Sequence, residues 1–338
     1  MAFRRFRPLR QDQVTRDKNT DTSLSPHDFI MPYFVVEGKG LRKKIPSLKD
    51  IYHLSIDELC HDVRELLSLD ITKVLLFGSI DPKLNDETGS HSYHENSIVA
   101  QAVKALKACF PELTVITDIC ICGYTSHGHC GLVGKDEILN DETLPILSEM
   151  ALTHAIAGAD CVAPSAMMDG QVSAIRYKLD EHGFKKVKIL AYSAKYASSF
   201  YGPFRDAIDS KPSFSDRRSY QMDLRNASQA IDEVCADIEE GADSVMVKPA
   251  HTYLDILHRI HLEFPDVPLV AYHVSGEYMM IQHAAESGAL DVQQAFEEVF
   301  YGFKRAGATM IISYYAKKYI LSLKKRMTKL NMSLQGAI

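Results

Sequence analysis

The 338-residue chain is 46% hydrophobic and 24% charged, the balance of a folded globular protein with room for one large domain or two average ones. Its formal charge of −6 argues against a general nucleic-acid binder, whose footprint is basic, and no apolar run reaches the roughly 18 residues of a bilayer-spanning helix. Seven cysteines, an odd number in a chain of this size, point to a reducing compartment rather than a disulfide framework.

The opening "MAFRRFRPLR" is Arg-rich but has no apolar segment behind it, which is not the pattern of a secretory signal. A transit peptide is the alternative, and Asp12, Asp17 and Asp21 count against it; the expectation is a cytoplasmic protein. Residues 1–27 are polar, without a sustained period, and read as an arm. Such an arm is disordered in a monomer or packs on a neighbouring subunit. Residues 28–338 then form the main domain.

From there short β-branched runs alternate with helical patterns. The strand-like runs cover 29–35, 73–78, 114–119, 160–164, 187–192, 244–248, 268–274 and 309–315. Helical stretches such as 55–69 and 95–110 lie between them; in the second, Ile98, Val99, Ala102, Val103, Leu106 and Phe110 share one face. Eight strand–helix alternations predict a (β/α)₈ barrel. A doubly wound open sheet is the rival, weakened because no Gly-rich dinucleotide fingerprint opens the first helix.

A barrel carries its chemistry where strands end. Asp118 and Cys120 close the third strand, Ser165 and Asp169 follow the fourth, and Lys195 follows the fifth. Lys248 ends the sixth, Ser275 follows the seventh and Tyr314 ends the eighth.

"DICICGYTSHGHC" (118–130) holds Cys120, Cys122 and Cys130, with His127 and His129 nearby. On a strand, residues two apart point the same way, so Cys120 and Cys122 can face one ion, and a Gly-rich return brings Cys130 back. Soft thiolates favour zinc, and three protein ligands with one open position is the catalytic form. Buried inert cysteines are the alternative, the reading given to Cys60, Cys109, Cys161 and Cys235 as core residues.

Lys195 and Lys248 each end an apolar strand. Taken singly, either is a solvated charge; two on adjacent strands, both pointing into the mouth, depress each other's pKa, and a neutral amine adds to ketones. The segment 201–221, rich in Gly, Pro and Ser, carries Arg205, Arg217 and Arg218 and reads as a disordered loop or an active-site lid; its arginines suit a carboxylate, the alternative for any one of them being a solvated charge.

With these residues in view, the chain resembles the porphobilinogen synthase (5-aminolaevulinate dehydratase) family from about residue 28 to 320. The motifs are "DICICGYTSHGHCG", "VAPSAMMDG", "YSAKYASSFYGPFRDA", "GADSVMVKPA", "YLDI", "YHVSGEY" and "YYA". The resemblance implies a (β/α)₈ barrel with an arm that wraps a neighbour, usually in an octamer. It also implies condensation of two 5-aminolaevulinate molecules to porphobilinogen with loss of two waters, an early step of tetrapyrrole synthesis. Residue by residue, it makes Lys248 the lysine that forms the Schiff base with the first substrate and Lys195 its partner at the second. Arg205, Arg217 and Gln221 would hold one carboxylate, and Ser275 and Tyr314 the other. Cys120, Cys122 and Cys130 match the zinc ligands of the zinc-dependent subgroup, and Asp118 matches an aspartate beside them; in the chemistry expected there, Asp118 or a lysine moves protons. Glu233 matches an allosteric magnesium ligand of many members, the alternative there being a solvated helix glutamate. Two positions depart from the family pattern, Ala166 for Asp and Gln171 for Arg, and "KPAHTYLD" differs from the usual loop. Two other functions stay open: a Schiff-base aldolase acting on another keto compound, and a non-catalytic relative motivated by those departures.

Overall fold

The computed structural model describes residues 3–335 except residue 136. Eight strands carry the architecture: β1 (Phe29–Val35), β2 (Lys73–Gly78), β3 (Thr114–Ile119), β4 (Cys161–Pro164), β5 (Lys188–Lys195), β6 (Ser244–Lys248), β7 (Leu269–His273) and β8 (Met310–Ser313). All pair in parallel and in chain order. The ring closes where Phe29 and Ile30 of β1 meet Ile311 and Ile312 of β8. That pairing makes the fold a (β/α)₈ barrel and excludes the open sheet.

The strands read as near-continuous apolar runs because both faces are covered, by side chains inside the ring and by helices outside it. All seven residues of β1 and all five of β6 and β7 are buried. The helix Ile98–Cys109 lays Ile98, Val99, Ala102, Val103 and Leu106 on the barrel, and its first turn is capped by the Ser97 hydroxyl, which accepts from the Ala100 N–H at 3.3 Å. A small hairpin, Arg42–Lys44 against Tyr52–Leu54, extends the sheet beside the C-terminal end of β1.

The bounds of β4, β5, β7 and β8 differ from the sequence reading, and two of the differences move a site residue. β5 runs on to Lys195, because parallel pairing with β6 continues past the apolar run and sets Lys195 opposite Lys248. β8 stops at Ser313, so Tyr314 lies just beyond it. Of the four cysteines expected in the core, only Cys161 is buried; Cys60 and Cys235 are half-buried, and Cys109, in the last turn of its helix, is exposed.

Residues 3–25 contribute no buried side chain. They form a 3₁₀ turn (Arg7–Arg10) and a short helix (Gln13–Lys18), and Phe3, Phe6, Leu9 and Val14 stand in solvent.

Candidate active site

The two lysines meet at the C-terminal mouth. β5 and β6 are hydrogen-bonded neighbours whose last residues are in register, so both side chains leave the sheet side by side. Lys195 is 5% exposed and Lys248 4%. Their Nζ atoms lie over the same ring, that of Tyr192, at 5.6 and 4.9 Å from its centroid. Lys195 Nζ donates to the Ser165 carbonyl, at the end of β4. Around Lys248 the wall is aromatic: Tyr272 at 4.3 Å, Phe204 at 5.0 Å and Tyr201 at 5.4 Å. Burial, and after it the positive charge of Lys195, lower the Lys248 ammonium from its ordinary 10.5 to about 7, against the pull of Asp118. Ring faces hold a cation but supply no full counter-charge, so the uncharged amine is accessible at neutral pH.

Asp118 faces both amines from β3. Burial pushes its carboxyl upward, opposed by Lys248 and Lys195. Its Oδ1 is sealed from solvent without a hydrogen-bond partner.

Cys120, Cys122 and Cys130 are buried, and their Sγ atoms lie within 4.8 Å of one another. Cys120 and Cys122 are not on a strand as the spacing suggested. β3 ends at Ile119, and a turn in which Tyr124 and Thr125 donate to the Ile121 carbonyl at 2.9 and 3.1 Å brings them together. Cys130 returns past Gly128, whose φ of +70° and closeness to the Lys211 carbonyl leave no room for a Cβ. Both nearby histidines are occupied. His129 pairs with the Tyr220 hydroxyl and the Phe214 carbonyl, both at 3.1 Å. His127 pairs with the Glu87 carbonyl at 3.2 Å and with the His129 N–H at 3.1 Å. Hydrogen bonds from Cys120 and Cys122, with Arg217 and Lys195 adding positive charge, hold the Cys130 thiol well below its usual range. Three thiolates around one tetrahedral ion sit about 3.8 Å apart, so this group fits a metal with little adjustment. Among the described residues no other cluster of three metal-ligating side chains is gathered so tightly.

The lid begins with the short helix Gly202–Ala207. Phe204, on that helix, packs on Phe77 at 4.9 Å as well as on Lys248. Ser275 holds the helix down: its Oγ accepts from the Phe204 N–H at 3.1 Å and donates to the Phe200 carbonyl at 3.2 Å. Gly276 permits this approach, since a Cβ there would sit 2.6 Å from the Phe200 carbonyl oxygen. Further along, Arg217 is buried, its Nη2 donating to the Gly128 and Ser210 carbonyls at 2.8 and 2.6 Å. It ties the lid to the cysteine loop. Polar atoms of the expected carboxylate binders remain buried and unpartnered: Arg205 Nε, Arg217 Nε and both amide atoms of Gln221. Such atoms are costly unless a polar ligand satisfies them. Arg218, by contrast, is exposed on the surface. The Tyr314 hydroxyl reaches that of Tyr272 at 3.5 Å. A cavity of about 10 Å³ lies beside Asp118, Cys120 and Cys122.

Glu233 lies away from this mouth. It lines a cavity of about 200 Å³ with Asp169, Gln171, Asp237 and Glu240, and it accepts from the Gln229 amide at 3.1 Å. Burial raises its carboxyl, and Asp169 and Glu240 add to the rise. Of the two departures, Gln171 has a structural account: its amide donates to the Pro164 carbonyl and accepts from the Met168 N–H, both at 3.4 Å, bracing the loop after β4.

The sequence reading missed the aromatic wall. Tyr192 and Tyr272 sit in apolar strand runs where they read as core, Tyr201 and Phe204 sit in the segment read as a lid, and only the folded chain gathers the four around Lys248. It also missed Glu277, which no run of apolar residues announces.

Fold and site together define a class: single-domain (β/α)₈ barrels with a lysine pair beside a thiol triad at the C-terminal mouth. Within that class, the chain belongs to the delta-aminolevulinic acid dehydratase family, whose model matches residues 3–321. Delta-aminolevulinic acid dehydratase of Bacillus subtilis is 48% identical over 316 residues, covering 94% of this chain and 97% of the relative. The Archaeoglobus fulgidus enzyme of the same name is 48% identical over 314 residues, covering 93% and 96%. The crystal structure of delta-aminolevulinic acid dehydratase (porphobilinogen synthase) from Toxoplasma gondii ME49, in complex with the reaction product porphobilinogen, is 42% identical. It superposes with a TM-score of 0.92 over 94% of this chain and 91% of that one.

Proposed function

We propose that the chain is a porphobilinogen synthase, condensing two 5-aminolaevulinate molecules with loss of two waters, and that Lys248 forms the covalent bond to the first. The observation that carries this reading is the paired amine site, where Lys248 and Lys195 share one ring and burial leaves about half of Lys248 uncharged at neutrality. The Lys248 amine adds to the ketone of the first substrate, and loss of water gives an imine. Ser275 and Tyr314 bind that substrate's carboxylate, for which the Ser275 hydroxyl must leave the Phe200 carbonyl. Arg205, Arg217 and Gln221 bind the second carboxylate with their buried unpartnered atoms. Lys195 lies at the second ketone, and Asp118 passes protons between the two amines. Holding both substrates in register supplies much of the rate gain of a two-molecule condensation.

Cys120, Cys122 and Cys130 are the residues that would hold zinc, which when bound supplies Lewis acidity to an amine or water at its open position. Magnesium is proposed at Glu233, supported by the acidic cavity in which it lies. The arm, residues 1–27, is proposed to pack on a neighbouring subunit of an octamer, supported by its exposed Phe3, Phe6, Leu9 and Val14. No described helix is long and apolar enough to cross a membrane, and a cytoplasmic location is proposed.

Two measurements test this reading. Reduction with cyanoborohydride in the presence of labelled 5-aminolaevulinate is expected to label the peptide holding Lys248. The labelling rate should rise about tenfold per pH unit below pH 7 and level off above it, because only the uncharged amine adds. Label elsewhere, or a midpoint near 10, removes the proposed nucleophile. Deleting residues 1–27 is expected to shift the protein on a sizing column from a large assembly to a smaller one; an unchanged elution volume removes the arm from the interface.

A further inference from the structure

Glu277 is wholly buried, third in the helix Ser275–Glu286, and has no place in the chemistry above. Its carboxylate joins two backbone segments. Oε2 accepts from the Val274 N–H at 3.0 Å, just ahead of Ser275. Oε1 accepts from the His251 and Thr252 N–H groups at 2.9 and 3.4 Å, three and four residues beyond Lys248. Among the described residues no lysine, arginine or histidine is ion-paired with it. Three backbone N–H groups, of Val274, His251 and Thr252, do the work of a counter-ion, though burial still raises the carboxyl to about 7. A buried carboxylate spent on backbone donors fixes the relation of the segments that carry them.

Those segments carry the two anchors of the first substrate: Lys248 at the end of β6 and Ser275 after β7. One anchor takes the ketone carbon and the other the carboxylate, so their separation matches one number of intervening methylenes. We propose that Glu277 is a positioning residue that sets the span from the Lys248 nitrogen to the Ser275 hydroxyl, and so makes the barrel mouth select oxo acids by chain length. This rests on the proposed function, since it takes Lys248 and Ser275 as the two anchors. The lid follows the same reference point, because Ser275 and Gly276 seat Phe200 and Phe204 on the same helical turn.

The test uses two plain oxo acids, 4-oxopentanoate and its homologue 5-oxohexanoate, and measures the rate at which cyanoborohydride traps each on Lys248 in the full-length, zinc-loaded protein. One methylene in a fitted site is worth about 10- to 200-fold in discrimination, so the wild type is expected to favour 4-oxopentanoate at least tenfold. Glu277→Gln puts an amide donor among backbone donors and is expected to bring the ratio close to one. Glu277→Asp, which keeps the charge but is too short to reach both segments, is expected to fall between and serves if the glutamine variant does not fold. Damage that is merely structural slows both probes in proportion and leaves the ratio alone. A variant that folds and keeps the wild-type ratio overturns the inference, as does a wild type that traps both acids equally on Lys248. A wild type trapped by neither acid on Lys248 overturns the proposed function, and this inference with it.

Discussion

Lys248→Met is expected to abolish imine trapping and to lower kcat/KM by about 10⁴-fold or more, the scale on which loss of a covalent nucleophile is felt. Methionine has a similar reach and no amine, so the aromatic wall keeps its packing partner. Stability should move the other way. The Lys248 amine titrates at about 7 in the folded protein and near its ordinary 10.5 when unfolded, so between those values the unfolded chain binds the extra proton. Wild-type stability therefore rises with pH through that window, and the amine's penalty is complete at pH 7 and below. The variant should melt above the wild type by the widest margin at or below pH 7, and the gap should close as pH climbs toward 10.5. Thermal melts of both proteins across that range, with trapping and turnover assays, check both halves. A variant that still turns over, or a gap that widens with pH, sinks the assignment. Lys195→Met is the companion: trapping on Lys248 persists, but its pH midpoint moves upward because the neighbouring positive charge is gone.

The second large effect concerns the thiol triad. Cys130→Ser is expected to reduce bound zinc from about one ion per chain to a small fraction of that, and activity by about 10³-fold, since a Lewis acid contributes several kcal/mol to such reactions. A strong chelator should silence the wild type, and zinc, but not magnesium, should restore it; the serine variant should not respond to either. Metal analysis beside the activity assay reads both. Full activity in a chelated sample removes zinc from the chemistry, and full zinc content in the serine variant removes Cys130 from the ligand set.

Much of this site was legible because barrel strands are buried on both faces and announce themselves as apolar runs. The bounds of β1, β2, β3 and β6 coincide with those read from the chain. Where the apolar signal lapses, as at Ser193–Ala194–Lys195, the reading stopped early; pairing with β6, which no local pattern contains, extends the strand. The three cysteines were found by their density, but the reason they converge was misjudged. Period-two geometry was invoked where a turn at Ile121 does the work. Arg217 was read as a substrate arginine, and one of its nitrogens is also committed to the carbonyls of Gly128 and Ser210, which only the folded lid brings near. The four rings around Lys248 and the carboxylate of Glu277 were silent in the sequence. Aromatic residues in strands, as Tyr192 and Tyr272 are, are usual core, and a glutamate three residues into a helix is usually no more than a cap.

The seat of Phe204 against Lys248 bears on when the protein reacts as well as where. Dehydration is the chief reason that this amine sheds its proton, and one wall of the dry chamber rides on the Gly202–Ala207 helix. Were that helix to move away, water would return and the nitrogen would regain its proton. A mouth opened in that way would offer stray aldehydes and ketones no nucleophile.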